Sequence, residues 1–182
     1  MSVTACPARD RAYAPGMVTE QRPVAVFDLD GTLSDARHRL HFLTGRPKNW
    51  NAFFRAAPKD PPLAAGVELA LRWAEECDLG YVTGRPERCR RDTERWLAAH
   101  GLPAGDLWMR GNRDYRPARE AKRALLLELA ATRTVAVVVD DDAQVCAAYR
   151  EAGFSVVEAD WMPVSDVADA TLRTAQEDEG RT

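Results

Sequence analysis

Short apolar runs alternate with amphipathic segments along the chain. Helical periodicity predicts helices at residues 36–43, 50–57, 66–77, 87–100, 117–131 and 143–153. The helix at 66–77 is expected to bury Val67, Leu71 and Ala74. The apolar runs predict strands at residues 23–29, 79–82, 107–109, 135–139 and 155–158. Because strands that alternate with helices form parallel sheets, the pattern predicts an α/β fold with a central parallel sheet.

The two ends of the chain lack this pattern. Residues 1–22 contain Pro7, Pro15 and Gly16 without periodicity and predict a flexible N-terminal arm. Residues 163–182 are acidic and weakly patterned, which predicts a C-terminal tail. The intervening residues 23–162 have the length of one domain.

The composition is that of a soluble globular protein, with 46% hydrophobic and 29% charged residues. No apolar run approaches the ~20 residues that a membrane span needs, and the N-terminal segment lacks the apolar core of a secretory signal. The four cysteines do not have the paired spacing of a zinc site. We therefore expect a cytoplasmic protein with reduced thiols and no membrane partner.

The most informative stretch is residues 24–32, with the sequence VAVFDLDGT. Its apolar run ends in Asp28 and Asp30, where the sites of open α/β sheets are found. Leu29 would point to the opposite side, so that both carboxylates face the same way if the strand geometry persists. Because neighbouring carboxylates repel, the pair predicts a metal ion or an acid–base pair. A polar turn that caps the following helix is the alternative.

Polar side chains also follow two other predicted strands. Thr83 and Arg85 follow the second strand, Asp140 and Asp141 follow the fourth, and Lys122 lies on the helix before it. Hard oxygen ligands select Mg²⁺, and a carboxylate can attack phosphorus. Cations and hydroxyl groups can hold the phosphoryl oxygens as their charge increases. The set therefore predicts phosphoryl transfer.

Together these positions resemble the haloacid-dehalogenase (HAD) superfamily of phosphatases. The sequence DLDGT at 28–32 matches the first motif of that family, and Thr83, Lys122 and the pair at 140–141 match the second, third and fourth in the right order. The resemblance implies a three-layer, Rossmann-like core. Neither gap between motifs has room for a separate domain, so little or no cap domain is expected.

The resemblance also implies catalytic roles. Asp28 would be the nucleophile and would form an aspartyl-phosphate. Asp30 would act as the general acid for the leaving oxygen and then as the base for water. Thr83 and Lys122 would bind the phosphoryl group.

The same resemblance implies a Mg²⁺ site. The ligands would be Asp28, the backbone carbonyl of Asp30 and an acidic residue of the fourth motif. Of the candidate residues Asp140 and Asp141, the second is favoured for direct contact. Asp142 would then be the N-cap of the next helix.

A closer resemblance is to the 3′-phosphatase domain of bacteriophage polynucleotide kinase and its phage and bacterial relatives. The matching segments at 82–85, 114–116 and 139–141 belong to a similarity that covers most of residues 24–160. It implies that Arg85 contacts the substrate phosphate. The kinase motif Gly-x-x-x-x-Gly-Lys-Ser/Thr does not occur, so no kinase domain is expected in this chain.

Further side chains are candidates for substrate contact, and each has a plainer interpretation. His38 could line the entrance or lie on a helix surface, and Arg37 could reach a phosphate or remain solvated. Gly84, Asp114 and Arg116 flank the motifs and are also predicted to contact the substrate. The aromatic residues of the segment before 66 could stack on a base or pack onto the core, namely Trp50, Phe53 and Phe54.

The sequence TGRP occurs twice, at residues 44–47 and at 83–86. The first copy follows the first motif too closely for a strand–helix–strand crossover, so Thr83 is favoured as the second motif.

Charge is distributed unevenly along the chain. The segment 85–123 carries a net charge of +5 within a total of −3, which favours a polyanionic substrate; salt-bridged helix faces are the alternative.

The leading hypothesis is a Mg²⁺-dependent phosphatase for a nucleic-acid 3′-phosphate or a nucleotide. A phosphatase for a small metabolite, such as a nucleoside monophosphate, and a phospho-acceptor signalling domain are the alternatives. The sequence leaves the oligomeric state undetermined.

Overall fold

Five parallel strands form one sheet in the order β3-β2-β1-β4-β5. The computed structural model describes residues 21–162 and residue 175, so the predicted arm and tail lie almost wholly outside the described residues. The α/β fold with a central parallel sheet is confirmed. The strands are β1 (Val24–Phe27), β2 (Asp78–Pro86), β3 (Asp106–Arg110), β4 (Val135–Asp140) and β5 (Val156–Glu158).

Helices cover both faces of this sheet, which gives three layers. Ala25 and Phe27 of β1 pack on the side of α2 and α3, whereas Val24 and Val26 pack on the side of α4 and α5. Within the described residues, no helix is long and apolar enough to cross a membrane. The α-helices are α1 (Trp50–Ala56), α2 (Ala64–Glu76), α3 (Arg90–Ala99), α4 (Ala118–Ala130) and α5 (Ala143–Glu151), and 3-10 helices lie at Arg37–Leu43, Ala57–Lys59 and Glu87–Cys89.

The buried face of α2 differs from the prediction. Leu69 and Ala70 are buried against the sheet, whereas Leu71 is 42% exposed. Val67 and Ala74 are only partly buried. The helix carries apolar residues on more than one side, so the periodicity alone does not decide which side faces the sheet.

The segment between β1 and α2 forms a small apolar cluster of its own. The 3-10 helix Arg37–Leu43 contributes Leu40 and Leu43, and α1 contributes its three aromatic side chains. The rings of Trp50, Phe53 and Phe54 are buried and lie 5.2–5.7 Å apart between centroids. They pack together, and none presents an exposed face for stacking on a base.

The two copies of TGRP lie in different environments. Thr44 is exposed after the 3-10 helix Arg37–Leu43, and its hydroxyl donates to the carbonyl of His41. Thr83 is buried in β2, between β1 and β3. Only the second copy therefore lies at the carboxyl edge of the sheet.

Candidate active site

A tight loop follows β1 and carries both aspartates of the first motif. The backbone N–H groups of Leu33 and Ser34 donate to the carbonyl of Leu29, 2.8 Å away in both cases. Gly31 has φ +95°, and a Cβ there would lie 2.2 Å from Asp141 Oδ2. Glycine is required because it accepts this backbone conformation and lets the Asp141 carboxylate approach. The strand ends at Phe27, and the two aspartates join different sets of charged partners.

Asp28 lies in a buried charge cluster with a lysine from α4. Lys122 Nζ is 3.0 Å from Asp28 Oδ1 and 2.9 Å from Asp140 Oδ2. All three side chains are at most 4% exposed. Two carboxylates close to the ammonium group keep the pKa of Lys122 well above its ordinary value, although burial opposes its charge.

The carboxylates in this cluster outnumber its cation. Burial raises the pKa of Asp28 to about 7; Lys122 lowers it, and the nearby charges of Asp140 and Asp30 raise it. Burial and the charge of Asp140 also raise the pKa of Asp141 well above its ordinary value. This excess of buried negative charge is suited to a divalent cation.

The geometry also fits a cation. Oxygen atoms of Asp28, Asp140 and Asp141 all lie within 4.8 Å of one another. Asp28 Oδ1 is buried, and among the described residues it meets the ammonium group of Lys122 at 3.0 Å in an ion pair. An oxygen in this condition can serve as a metal ligand.

The two aspartates of the fourth motif differ in their contacts. Asp140 Oδ2 accepts from Lys122, and its Oδ1 accepts from the backbone N–H of Asp142 at 3.1 Å. Asp141 receives one hydrogen bond described in the structure, a long one of 3.4 Å from the hydroxyl of Thr32. Asp141 therefore has the greater capacity for a metal. The side chain of Asp142 accepts from the backbone N–H groups of Gln144 and Val145, as expected of an N-cap.

The raised pKa of Asp28 predicts a pH-dependent stability. The Asp28 carboxyl binds its proton more tightly in the folded state, where its pKa is about 7, than in the unfolded state, where its pKa has the ordinary value of 3.8. Its contribution to stability is therefore fully present below about pH 4 and is lost as the pH rises through about 7. In a chelating buffer, the free energy of unfolding should therefore fall over this interval. Asp28→Asn should reduce the slope by up to about 1.4 kcal/mol per pH unit. Urea unfolding at several pH values measures this, and equal slopes for the two proteins would contradict it.

Asp30 belongs to a second buried cluster. Its Oδ1 accepts hydrogen bonds from Ser34 Oγ at 3.1 Å, from Arg39 at 2.7 Å and from Arg85 Nε at 2.8 Å. Burial alone would raise the pKa of Asp30, but the charges and hydrogen bonds of Arg39 and Arg85 outweigh it and hold this pKa well below its usual range. The carboxylate of Asp60, which precedes α2, contacts both arginines.

Thr83 and Gly84 lie near the carboxyl end of β2. Thr83 is buried, and its hydroxyl accepts from the backbone N–H of Arg85 at 3.2 Å. A Cβ on Gly84 would meet nothing within 4 Å, so this position borders open space. Arg85 itself is 1% exposed and directs its guanidinium group to Asp30, Ser34 and Asp60.

Three of the remaining predicted substrate contacts lie in local ion pairs, and His38 lies against Asp60. Arg37 donates to Asp35, and Arg116 donates to Asp114 in the loop between β3 and α4. His38 Nε2 is 2.8 Å from Asp60 Oδ1. None of the contacts described in the structure joins Arg37, Asp114 or Arg116 to the side chains around Asp28.

Three buried residues of the site were missed by the sequence analysis: Ser34, Arg39 and Asp60. Arg39 lies in the segment 36–43, where a helix is predicted, and Asp60 lies in the irregular stretch before α2; both side chains are fully buried. A residue pattern does not distinguish a buried arginine from a solvated one. The available signal was an arginine on the apolar side of a helix, beside Leu40 and Leu43.

The chain is similar to one protein family and to several solved structures. The family model described as "Polynucleotide kinase PNKP phosphatase domain" matches residues 22–161. No curated protein gives a significant match. A chain in the structure of the Pnkp1/Rnl/Hen1 RNA repair complex is 26% identical, with TM-score 0.63, over 86% of this chain and 46% of that chain. A chain in another Pnkp1/Rnl/Hen1 complex is 25% identical, with TM-score 0.64, over 90% of this chain and 53% of that chain.

The chain thus spans about half the length of the Pnkp1/Rnl/Hen1 chains that it matches. A more distant similarity extends over nearly the full length of the matched protein. The haloacid dehalogenase-like hydrolase SP0104 from Streptococcus pneumoniae is 14% identical, with TM-score 0.59, over 86% of this chain and 92% of that chain. That similarity shows the fold alone.

Proposed function

Because the chain belongs to the family of PNKP phosphatase domains, within the HAD superfamily, and is a hydrolase of phosphoric monoesters, we propose that it forms an aspartyl-phosphate on Asp28. The substrate that we propose is a polynucleotide with a 3′-phosphate. The observation that carries the mechanism is the contact of Asp28 with Lys122, beside the carboxylates of Asp140 and Asp141.

The proposed reaction has two steps, and Asp30 donates a proton in the first and accepts one in the second. A carboxylate oxygen of Asp28 attacks phosphorus, the bond to the leaving oxygen breaks, and Asp30 gives that oxygen a proton. Because Arg39 and Arg85 hold the pKa of Asp30 low in the free protein, this role requires that the negative charge of the bound phosphate raise that pKa, so that Asp30 takes up a proton when the substrate binds. Asp30 then takes a proton from water, whose oxygen attacks the aspartyl-phosphate. This second step releases inorganic phosphate and regenerates the Asp28 carboxylate. Lys122 and the Thr83 hydroxyl orient the phosphoryl group and stabilise its charge.

Mg²⁺ is the proposed cofactor because the donor set consists of hard oxygens. Asp28, Asp141 and the backbone carbonyl of Asp30 would hold it. When bound, Mg²⁺ supplies positive charge that offsets the repulsion between a carboxylate and a phosphate ester. Lys122 neutralises part of the same repulsion from the side of α4, through its contacts with Asp28 and Asp140.

The surface next to the site favours a polynucleotide. Arg88 and Arg113 are exposed and have no carboxylate partner among the described residues. Tyr115 is 59% exposed in the loop between β3 and α4, at the carboxyl edge of the sheet. The backbone N–H of Arg88 donates to Asn112 Oδ1 at 2.9 Å, which brings the two segments together. Arginines with an exposed aromatic ring are suited to phosphates and an unstacked base.

A panel of phosphate esters tests the proposed substrate. With Mg²⁺, kcat/KM for 3′-phosphorylated RNA or DNA oligonucleotides should exceed that for 3′-nucleoside monophosphates by about tenfold, and the difference should shrink as salt rises. Oligonucleotides with a 5′-phosphate are the matched control. Tyr115→Ala should lower kcat/KM for the oligonucleotide more than for p-nitrophenyl phosphate.

The same panel examines the second candidate function, hydrolysis of a nucleoside monophosphate. The exposed ring of Tyr115 could stack on one base as well as on the end of a strand. If only the monomers are hydrolysed, or if all esters react equally, the polynucleotide proposal is wrong while the phosphatase assignment stands.

A further inference from the structure

One buried carboxylate holds both arginines that contact Asp30. Asp60 Oδ1 accepts from Arg39 Nε at 2.8 Å, and its Oδ2 accepts from Arg39 Nη2 at 2.6 Å and from Arg85 Nη2 at 3.0 Å. The Asp60 side chain is 0% exposed. Its backbone is also fixed, because Trp96 of α3 donates from Nε1 to the Asp60 carbonyl at 2.8 Å.

The two arginines contact one side of the Asp30 carboxylate. Every hydrogen bond that the structure describes for this side chain falls on Oδ1, with donors from Ser34, Arg39 and Arg85. Oδ2 receives none from the described residues. The donors on Oδ1 hold the Asp30 carboxylate in one orientation. Oδ2 is therefore the oxygen that is available for proton transfer.

Asp60 accounts for this one-sided arrangement. A planar guanidinium group tends to pair with both oxygens of one carboxylate. Arg39 makes such a two-oxygen contact with Asp60, so it reaches Asp30 with a single nitrogen. Two carboxylates also balance the charges of two buried arginines. Without Asp60, both arginines would face Asp30 alone and could engage its second oxygen.

We propose that Asp60 is a positioning residue for Asp30, which it keeps free at Oδ2 by holding Arg39 and Arg85. The proposal rests on the proposed function, in which Oδ2 of Asp30 donates a proton to the leaving oxygen while the bond from that oxygen to phosphorus breaks. Asp60 itself does not touch the substrate. Its removal should therefore impair protonation of the leaving group more than binding of the phosphate.

The test compares two aryl phosphates whose leaving groups differ in basicity. Phenolate needs a proton more than p-nitrophenolate does, so Asp60→Asn should lower kcat/KM for phenyl phosphate roughly tenfold more than for p-nitrophenyl phosphate. Asp30→Asn should show the same selectivity, and the double variant should add little to it. Equal losses for both esters would show a merely structural role and overturn the proposal.

Two further variants guard against a failure to fold. Asp60→Glu retains the charge beside the arginines but displaces the carboxylate, and we expect the same selective loss; unchanged selectivity overturns the proposal. Asp78→Asn is the control, because Asp78 also pairs with an arginine, Arg133, but lies at the opposite edge of the sheet. If the wild-type protein hydrolyses neither ester nor any oligonucleotide, the proposed function fails, which is distinct from loss of selectivity in an active protein.

Discussion

Asp28→Asn is expected to lower kcat for p-nitrophenyl phosphate by roughly 10⁴-fold or more, because the amide has no anionic oxygen to attack phosphorus. The protein should remain folded, since the substitution removes a buried carboxyl whose pKa is raised to about 7. Hydrolysis in the presence of Mg²⁺ measures the loss. A trapping experiment with labelled substrate should find acid-stable phosphate on the wild-type chain and none on the variant.

A matched control shows that the loss is local. Asp106→Asn also removes an aspartate, one that pairs with Arg133 at 3.0 Å at the start of β3, and it should retain activity. Retained activity in Asp28→Asn would contradict the nucleophile assignment. Repeated turnover by the wild-type protein would also exclude the phospho-acceptor signalling domain, which is phosphorylated without acting as a phosphatase.

Lys122→Met is expected to destabilise the protein by about 3–5 kcal/mol at about pH 8 in a chelating buffer. The substitution leaves the buried carboxylates of Asp28 and Asp140 without the ammonium group that lies 2.9–3.0 Å from them. It should also lower kcat by about 10²–10³-fold, because a cation that stabilises the phosphoryl group is lost. Urea unfolding and steady-state kinetics measure the two effects.

Mg²⁺ offers a further check on the Lys122 variant. If the ion binds among Asp28, Asp140 and Asp141, it should stabilise Lys122→Met more than the wild type, since its charge partly replaces the missing ammonium. Arg123→Met removes an exposed cation from the same helix and should change the free energy of unfolding by no more than about 0.5 kcal/mol. A loss below about 1 kcal/mol for Lys122→Met would contradict the prediction.

The positions of the strands and of the Asp28 cluster were predictable because their signals are local. A continuous apolar run is typical of a strand buried on both faces, and β1 and β4 have this pattern. Parallel strands end at the same edge, so the polar residues at or just after their carboxyl ends meet there. Asp140 and Asp141 could therefore be expected near Asp28 without coordinates.

The environment of Asp30 depended on tertiary structure. Arg39 lies in a short 3-10 helix, and Asp60 lies in the irregular stretch before α2. Asp60 contacts Arg39, 21 positions away, and Arg85, 25 positions away on β2. The inner face of α2 could not be predicted either, because several of its sides are apolar and only packing selected one.

By itself, the sequence determined the α/β fold, the order of the strands and helices along the chain and the identity of the motif residues, since these depend on local pattern and spacing. Only the tertiary structure decided that Asp28 and Asp30 lie in separate charge clusters. The physical reason is that burial makes each carboxylate depend on its nearest charges. Those charges are Lys122 for Asp28, and Arg39 and Arg85 for Asp30.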